Sequence, residues 1–317
     1  MRDANDRYLA ERFFISYSSS ASLFTLMCER ANLRGAPSSR HALLIGDPPF
    51  SDQQLAGMLK HREPSEPEIS ESLLASNEFR EGTLLRDALA GNRELLQTLP
   101  RLTWTHLEVL RIAGLLPGAT VLLGPEASEE GISRLSESGA LNGYDTIHLA
   151  THALRDVRLP QFAAFVLSQV GTKDAPPKLG SREELESPRG ALDGLLMPEE
   201  IAALHLKADL VTLSGCATTG FRELGAYVGL SDAFLRAGAS TTVASLWRVE
   251  DRATSLLMQR FYSSLAPTAG GAPPMRKDEA LRDAKLWLRD YVDEDGRTPY
   301  RHPAYWSSFV LVGDPGR

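Results

Sequence analysis

Short apolar runs alternate with longer helical patterns along this chain of 317 residues. The runs lie at 41–46, 119–123, 144–153, 162–168, 208–216, 240–246 and 307–312. Because neighbouring positions in them are apolar, they are typical of strands buried on both faces of a sheet. Helical spacing predicts helices at 103–116, 198–204, 224–237, 250–265 and 278–291. Strand and helix in alternation predict a doubly wound, mostly parallel α/β sheet flanked by helices, a three-layer sandwich.

Two stretches depart from this alternation. Residues 51–99 combine charged, Ser/Pro-rich sequence with a moderately helical tract. Residues 171–190 carry Pro, Gly and charge without apolar periodicity, which predicts a long surface loop. No repeat of 20 to 50 residues is visible, so we interpret 1–317 as a single domain rather than a solenoid.

Composition narrows the functional classes. A hydrophobic content of 43% can fill a sizeable core, while a net charge of −7 without Lys/Arg clusters argues against direct nucleic-acid binding. The polar N-terminus and the lack of an 18-residue apolar stretch predict no secretion signal and no membrane segment. Only Cys28 and Cys216 are present, so we expect free thiols, with Cys28 in the core, and a cytoplasmic location.

The candidate chemistry lies at the ends of two predicted strands. Cys216 follows the strand that begins near Ala208, and His152 ends the strand at 144–153. Carboxyl ends of inner parallel strands meet at one sheet edge, so the sequence predicts a cysteine–histidine nucleophile pair. His148 precedes His152 by four residues, but on a strand these positions lie about 13 Å apart, too far for one metal ion. We therefore predict no metal site, no cofactor and a structural role for His148.

Five ordered motifs resemble the CHAT domain, a family of caspase-like and separase-like cysteine peptidases, often joined to tetratricopeptide repeats. They are Ile147-His-Leu-Ala-Thr-His152, Leu213-Ser-Gly-Cys216-Ala-Thr218, Phe234-Leu-Arg-Ala-Gly-Ala239, Ala244-Ser-Leu-Trp-Arg-Val-Glu-Asp251 and His302-Pro-Ala-Tyr-Trp-Ser-Ser-Phe-Val-Leu-Val-Gly-Asp314. The resemblance implies a caspase-like fold, a bacterial origin and a protein substrate. It also implies His152 as general base, Cys216 as nucleophile, and the backbone N–H groups of Ala153 and Cys216 as oxyanion donors.

The chain departs from the family pattern in two places. Ala153 stands where the family usually has glycine; alanine keeps the N–H, but a positive φ would cost of order 1 kcal/mol there. The chain also starts almost inside the family domain, so we expect its usual first element to be missing.

Four further residues are candidates for contacts with a peptide substrate. Ser245 and Trp247 leave their strand at the expected edge and, by resemblance to the caspase plan, would flank the peptide. Asp193 and Asp209 are candidates for a pocket that favours basic P1 residues, although an aspartate at a strand start is more often a solvated turn residue.

Three functions remain open at this stage. The first is a cysteine endopeptidase, latent until a partner such as a tetratricopeptide-repeat protein or another signal activates it. The second is an inactive CHAT module that acts as a scaffold or regulator. The third is an acyltransferase or thioesterase that uses Cys216 and His152, because peptide-bond specificity does not follow from two residues.

Overall fold

The computed structural model describes residues 7–18, 20–34, 41–60, 78–155, 163–171, 192–215, 224–247, 250–266 and 273–316. Its strands are β1 (Ser16–Tyr17), β2 (Ala42–Gly46), β3 (Thr120–Leu123), β4 (Thr146–Ala150), β5 (Ala153–Arg155), β6 (Ala163–Val166), β7 (Leu195–Leu196), β8 (Leu210–Leu213), β9 (Thr241–Ser245) and β10 (Phe309–Gly313). Its α-helices are α1 (Ala21–Arg34), α2 (Asp52–Lys60), α3 (Glu78–Leu89), α4 (Thr103–Leu115), α5 (Glu129–Glu137), α6 (Pro198–Ala203), α7 (Leu224–Ala237), α8 (Asp251–Leu265), α9 (Lys277–Arg289) and α10 (Pro303–Trp306).

The main sheet has seven strands in the order β1-β10-β9-β8-β4-β2-β3. The five strands from β9 to β3 are parallel, whereas β10 runs antiparallel to β9 and pairs in parallel with β1. Helices cover both faces, which confirms the predicted mostly parallel α/β sheet. Within the described residues, no helix has the length and apolar character needed to cross a bilayer.

Both faces of the inner strands are buried, as their continuous apolar sequence predicts. On β2, Leu43 and Ile45 join a core with α1, α6 and α7, while Ala42 and Leu44 join a second core with α4, α8 and α9. The alternation follows from the two-residue period of a strand. The inner strands are therefore held between two layers of helices.

A second, smaller sheet has the order β5-β6-β7 and is antiparallel throughout. The strand predicted at 162–168 belongs to this sheet rather than to the main one. The apolar side of the small sheet packs against Phe50, α3 and the 3₁₀ turn Arg93–Thr98. Parts of the region at 51–99, which lacked a clear pattern in the sequence, therefore cover this sheet.

The position of Cys28 differs from the predicted one. Cys28 is half-buried on α1 rather than in the core, with its Sγ 3.7 Å from Asp314 Oδ1. It is a free thiol. The loop predicted at 171–190 lies outside the described residues apart from Gly171.

Gly238 is expected to be intolerant of any side chain. It follows α7 with φ of +124°, and a Cβ there would overlap the carbonyl oxygen of Leu206. We expect Gly238→Ala to lower the free energy of unfolding by about 2–4 kcal/mol, through backbone strain and steric overlap. Gly229→Ala is the matched control, because Gly229 lies within α7 and a Cβ there meets nothing within 4 Å.

Urea unfolding of the wild type and both variants measures the change in the free energy of unfolding. Gly229→Ala should be neutral or stabilising by up to about 1 kcal/mol, since alanine is the better helix former. Equal effects of the two substitutions would contradict the role assigned to Gly238.

Candidate active site

The carboxyl ends of β4 and β8 adjoin at one edge of the main sheet. The two strands pair in parallel, with Leu149 opposite Leu213. The pairing continues beyond the strands, where the N–H of Ser214 donates to the carbonyl of Leu149 at 2.7 Å. Thr151 and His152 after β4, and Ser214 and Gly215 after β8, therefore leave the sheet side by side.

His152 lies in the turn between β4 and β5 and is 3% exposed. Its Nε2 lies 2.8 Å from the carbonyl oxygen of Pro100, and its ring centroid is 5.2 Å from that of Phe50. A carbonyl oxygen only accepts hydrogen bonds, so Nε2 carries the hydrogen. In the neutral imidazole, Nδ1 is then the basic nitrogen.

The Pro100 carbonyl is itself fixed by its neighbours in the chain. Arg101 donates two hydrogen bonds to the buried carboxylate of Asp47, at 2.7 and 2.6 Å. On the other side, the Gln54 amide donates to the carbonyl of Leu99 at 2.8 Å. A bidentate arginine–carboxylate pair fixes orientation as well as distance, so the segment that holds His152 is anchored on both sides.

Asp47 follows β2 at the same edge of the sheet. Its φ of +50° is the only positive φ of a non-glycine residue in the described chain. Aspartate tolerates this left-handed conformation better than most residues. The conformation is supported by the Asp47 N–H, which donates to Thr105 Oγ1, and by His106 Nδ1, which lies 3.1 Å from Asp47 Oδ2.

Gly215, the residue before Cys216, packs directly against the His152 turn. A Cβ at Gly215 would overlap the carbonyl oxygen of Thr151 and would lie 3.6 Å from the backbone nitrogen of Ala153. Glycine is therefore required by the close approach of the two backbones. Cys216 itself lies outside the described residues, so its pairing with His152 remains a prediction.

Ala153 begins β5 and is buried. Its φ is not positive, because Asp47 alone has a positive φ among the described non-glycine residues. The alanine therefore causes none of the backbone strain that replacing glycine could have introduced.

Ser245 and Trp247 lie at the same edge, because β9 is parallel to β8 and ends at Ser245. The Ser245 hydroxyl is buried and donates to the Gly215 carbonyl at 2.9 Å, so it anchors the turn before Cys216. Trp247 is partly exposed, and its Nε1–H donates to the Ala304 carbonyl at 2.9 Å.

The structure does not bring Asp209 to this edge. Asp209 precedes β8 at the amino edge of the sheet, where its carboxylate lies 2.8 Å from Lys277 Nζ. Its position therefore gives no support to a role in the same pocket as His152.

Asp193 precedes β7 and is buried. Its Oδ1 accepts from the Leu195 N–H at 2.8 Å and lies 3.8 Å from Arg93. Burial raises the pKa of Asp193. These internal contacts do not support a carboxylate that faces substrate.

Asp193 belongs to a group of three interior acids with Glu129 of α5 and Glu200 of α6. Burial, followed by the charge of Glu200, raises the pKa of Glu129 to about 8. Burial is also the main cause of the raised pKa of Glu200. The Glu129 carboxylate accepts from the Gly194 N–H at 2.7 Å. Across the described residues, no three His, Cys, Asp or Glu side chains are arranged to hold a metal ion.

Several residues that shape this site escaped the sequence analysis. Phe50, Pro100, Arg101 and Asp47 contact His152 or its support, and they come from the poorly patterned region before α4 or from its margins. Asp47 was the one residue of this group that the sequence could have indicated, because it directly follows the inner strand β2 and so lies at the carboxyl edge of the sheet.

The fold and the site define an α/β protein with a mostly parallel sheet, whose candidate chemistry lies at the carboxyl edge of the inner strands. The family model of the CHAT domain matches residues 1–314, and the chain belongs to the CHAT domain family.

Two curated relatives are similar over part of the chain. Tetratricopeptide repeat protein 28 of Homo sapiens and that of Mus musculus are each 28% identical over 120 residues, or 38% of this chain. The matched segment spans about 4% of the length of these relatives. Both are mammalian, so they give no support to the bacterial origin that the resemblance implied.

Two solved structures are similar at low identity. The Saccharomyces cerevisiae separase–securin complex matches with a TM-score of 0.46 and 10% identity, over 95% of this chain and 14% of that chain. The Arg-specific cysteine proteinase gingipain R matches with a TM-score of 0.45 and 10% identity, over 92% of this chain and 51% of that chain.

The raised pKa of Glu129 predicts that the fold loses stability as the pH rises from 4.5 to 8. Between the ordinary glutamate pKa of 4.5 and the folded value of about 8, the folded state holds a proton that the unfolded state has lost. As far as this group is concerned, stability is therefore greatest below pH 4.5, falls between pH 4.5 and 8, and is level above pH 8. The loss is at most about 1.4 kcal/mol per pH unit for each proton.

Urea unfolding between pH 5 and pH 9 tests this prediction. Glu129→Gln should flatten the pH dependence, because the amide oxygen can still accept from Gly194 without titrating. Glu130→Gln is the matched control, since Glu130 is the next residue and is exposed. If stability changed equally with pH in Glu129→Gln and Glu130→Gln, the pH dependence would not come from Glu129.

Proposed function

We propose that this chain is a cysteine endopeptidase that hydrolyses peptide bonds of a protein substrate through Cys216 and His152. The observation that carries the proposal is the contact of Gly215 with the Thr151–Ala153 backbone. Membership of the CHAT domain family supports the same chemistry. The proposal concerns this domain alone, because the chain spans only about 4% of its curated relatives.

The first half of the reaction forms an acyl-enzyme. Nδ1 of His152 accepts the thiol proton, and the Cys216 thiolate attacks the scissile carbonyl carbon. The carbonyl oxygen becomes an oxyanion that accepts from the N–H groups of Cys216 and Ala153, each worth about 2.7–4 kcal/mol in comparable sites. His152 then gives its proton to the leaving amine as the C–N bond breaks.

The second half restores the enzyme. His152 takes a proton from a water molecule, whose oxygen attacks the thioester carbon. The C–S bond breaks, the peptide acid leaves, and the thiolate recovers the proton. The Pro100 carbonyl stabilises the imidazolium form that occurs in both halves, because it accepts from Nε2–H at 2.8 Å.

A tetratricopeptide-repeat protein is the activating partner that we propose. The similarity to two relatives named for those repeats supports this choice. Ser245 and Trp247 are proposed to flank the bound peptide, since β9 ends at the same edge as β4 and β8. We also propose a cytoplasmic location, where the free thiol of Cys28 would remain reduced.

We expect Cys216→Ala and His152→Ala each to lower peptide cleavage by at least about a thousandfold, because each removes a partner in proton transfer or attack. The purified chain is incubated with a proteome-derived peptide library, and the new termini are sequenced by mass spectrometry. The same data give the preferred P1 residue. Cys28→Ala is the matched control and should cleave like the wild type.

Three results would count against the proposal. Cleavage retained by Cys216→Ala or His152→Ala would exclude the pair as the catalytic residues. No cuts by the wild-type chain, whether alone or with a tetratricopeptide-repeat protein added, would favour an inactive regulatory module. Turnover of acyl thioesters without any peptide cleavage would favour a thioesterase or acyltransferase.

A further inference from the structure

Glu108 is a buried acid that the proposed mechanism does not use. It lies on α4, its side chain is completely buried, and it faces the sheet. One carboxylate oxygen, Oε1, has two side-chain partners, whereas Oε2 is buried and has no hydrogen-bond partner among the described residues. Burying a carboxylate with half of its acceptor capacity unused is costly for stability.

The shorter of the two hydrogen bonds to Glu108 comes from Ser214, which lies two residues before the candidate nucleophile. The Ser214 hydroxyl donates to Glu108 Oε1 at 2.5 Å, and both residues are buried. A hydroxyl bond to a carboxylate is short and roughly twice as strong as a neutral bond. Ser214 is two residues before Cys216, and its N–H is bound by the Leu149 carbonyl, so Ser214 is held by its side chain and its backbone.

The second bond fixes the carboxylate. His148 on β4 places its Nε2 at 2.8 Å from Glu108 Oε1 and its Nδ1 at 3.3 Å from the Tyr262 hydroxyl. Tyr262, on α8, donates in turn to Thr212 Oγ1 at 2.8 Å. Glu108 is therefore a rigid anchor, held by β4 and supported from α8, rather than a side chain that follows Ser214.

A purely structural role explains these contacts less well. Apolar side chains at positions 108, 148 and 214 together would avoid the desolvation of a carboxylate and would leave no buried polar atom of this group unpaired. The polar anchor instead fixes the direction in which the chain leaves β8, a direction that Ser245 also constrains through the Gly215 carbonyl. A misplacement of about 1 Å can cost a hundredfold in rate.

We infer that Glu108 is a positioning residue that acts through the Ser214 hydroxyl to orient Ser214 and Gly215, the two residues that lead into Cys216. The catalytic consequence rests on the proposed peptidase function, whereas the positioning of the turn does not. Among the described residues, the hydrogen-bond partners of the Glu108 carboxylate are Ser214 and His148, so its role is to act through Ser214.

The test compares single buried hydroxyl bonds at the two ends of the sheet. Ser214→Ala removes the bond to Glu108. Thr241→Val removes a bond of 2.6 Å from Thr241 Oγ1 to the Asp314 carbonyl, at the amino edge of β9. Amide hydrogen exchange is measured on peptides that contain residues 214–218, and kcat and KM are measured on a substrate from the peptide library.

We expect Ser214→Ala to accelerate exchange in 214–218 at least about tenfold and to lower kcat about 10- to 100-fold with little change in KM. Thr241→Val should change neither. Glu108→Ala should behave like Ser214→Ala, and Glu108→Gln should recover most of the loss, because its amide oxygen can accept from Ser214. The rescue shows that a neutral acceptor at position 108 suffices, and Thr241→Val controls for general destabilisation.

The outcomes separate the two proposals. Exchange in 214–218 that is no faster in Ser214→Ala than in Thr241→Val would overturn the positioning role, whatever the wild type cleaves. Faster exchange in an enzyme whose kcat is unchanged would also overturn it. Faster exchange in Ser214→Ala, when the wild type cleaves no peptide even with a tetratricopeptide-repeat protein added, would support the positioning role and refute the peptidase.

Discussion

The parallel pairing of β4 with β8 is the interaction on which the rest of the structure depends. Both strands are buried on both faces, and His148 and Thr212 point to the side of α4 and α8. If the register of the strands shifted by one residue, these polar side chains would face the apolar core on the opposite side. The apolar cores thus specify the register. The register in turn places Ser214 opposite Glu108 and Gly215 against the turn of His152.

The sequence was informative where one apolar pattern ran for a whole element. The helix predicted at 224–237 has those bounds in the structure, and the strands expected near His152 and Cys216 are neighbours. Strands β1, β5 and β7 have only two or three residues, too few to show a period. The direction of β10 was equally hidden, because a continuous apolar run is compatible with either orientation of a strand.

The surroundings of His152 could not be predicted because they depend on contacts between distant parts of the chain. Pro100 is 52 residues from His152, and Glu108 is 106 residues from Ser214. Both belong to one short stretch, the start of α4 and the segment before it. The candidate base and Ser214, two residues before the candidate nucleophile, are thus supported by one continuous segment, so a displacement of residues 100–108 would affect both at once.

The place of β10 between β9 and β1 has a consequence for the order in which the molecule is built. β1 lies near the start of the described chain, yet its partner in the sheet is formed by Phe309–Gly313. During synthesis β1 therefore cannot form this pairing until Phe309–Gly313 has left the ribosome. Phe13, Phe14 and Tyr17, exposed even in the folded protein, would wait in solution for that time, and a chaperone that shields apolar segments would find its target there.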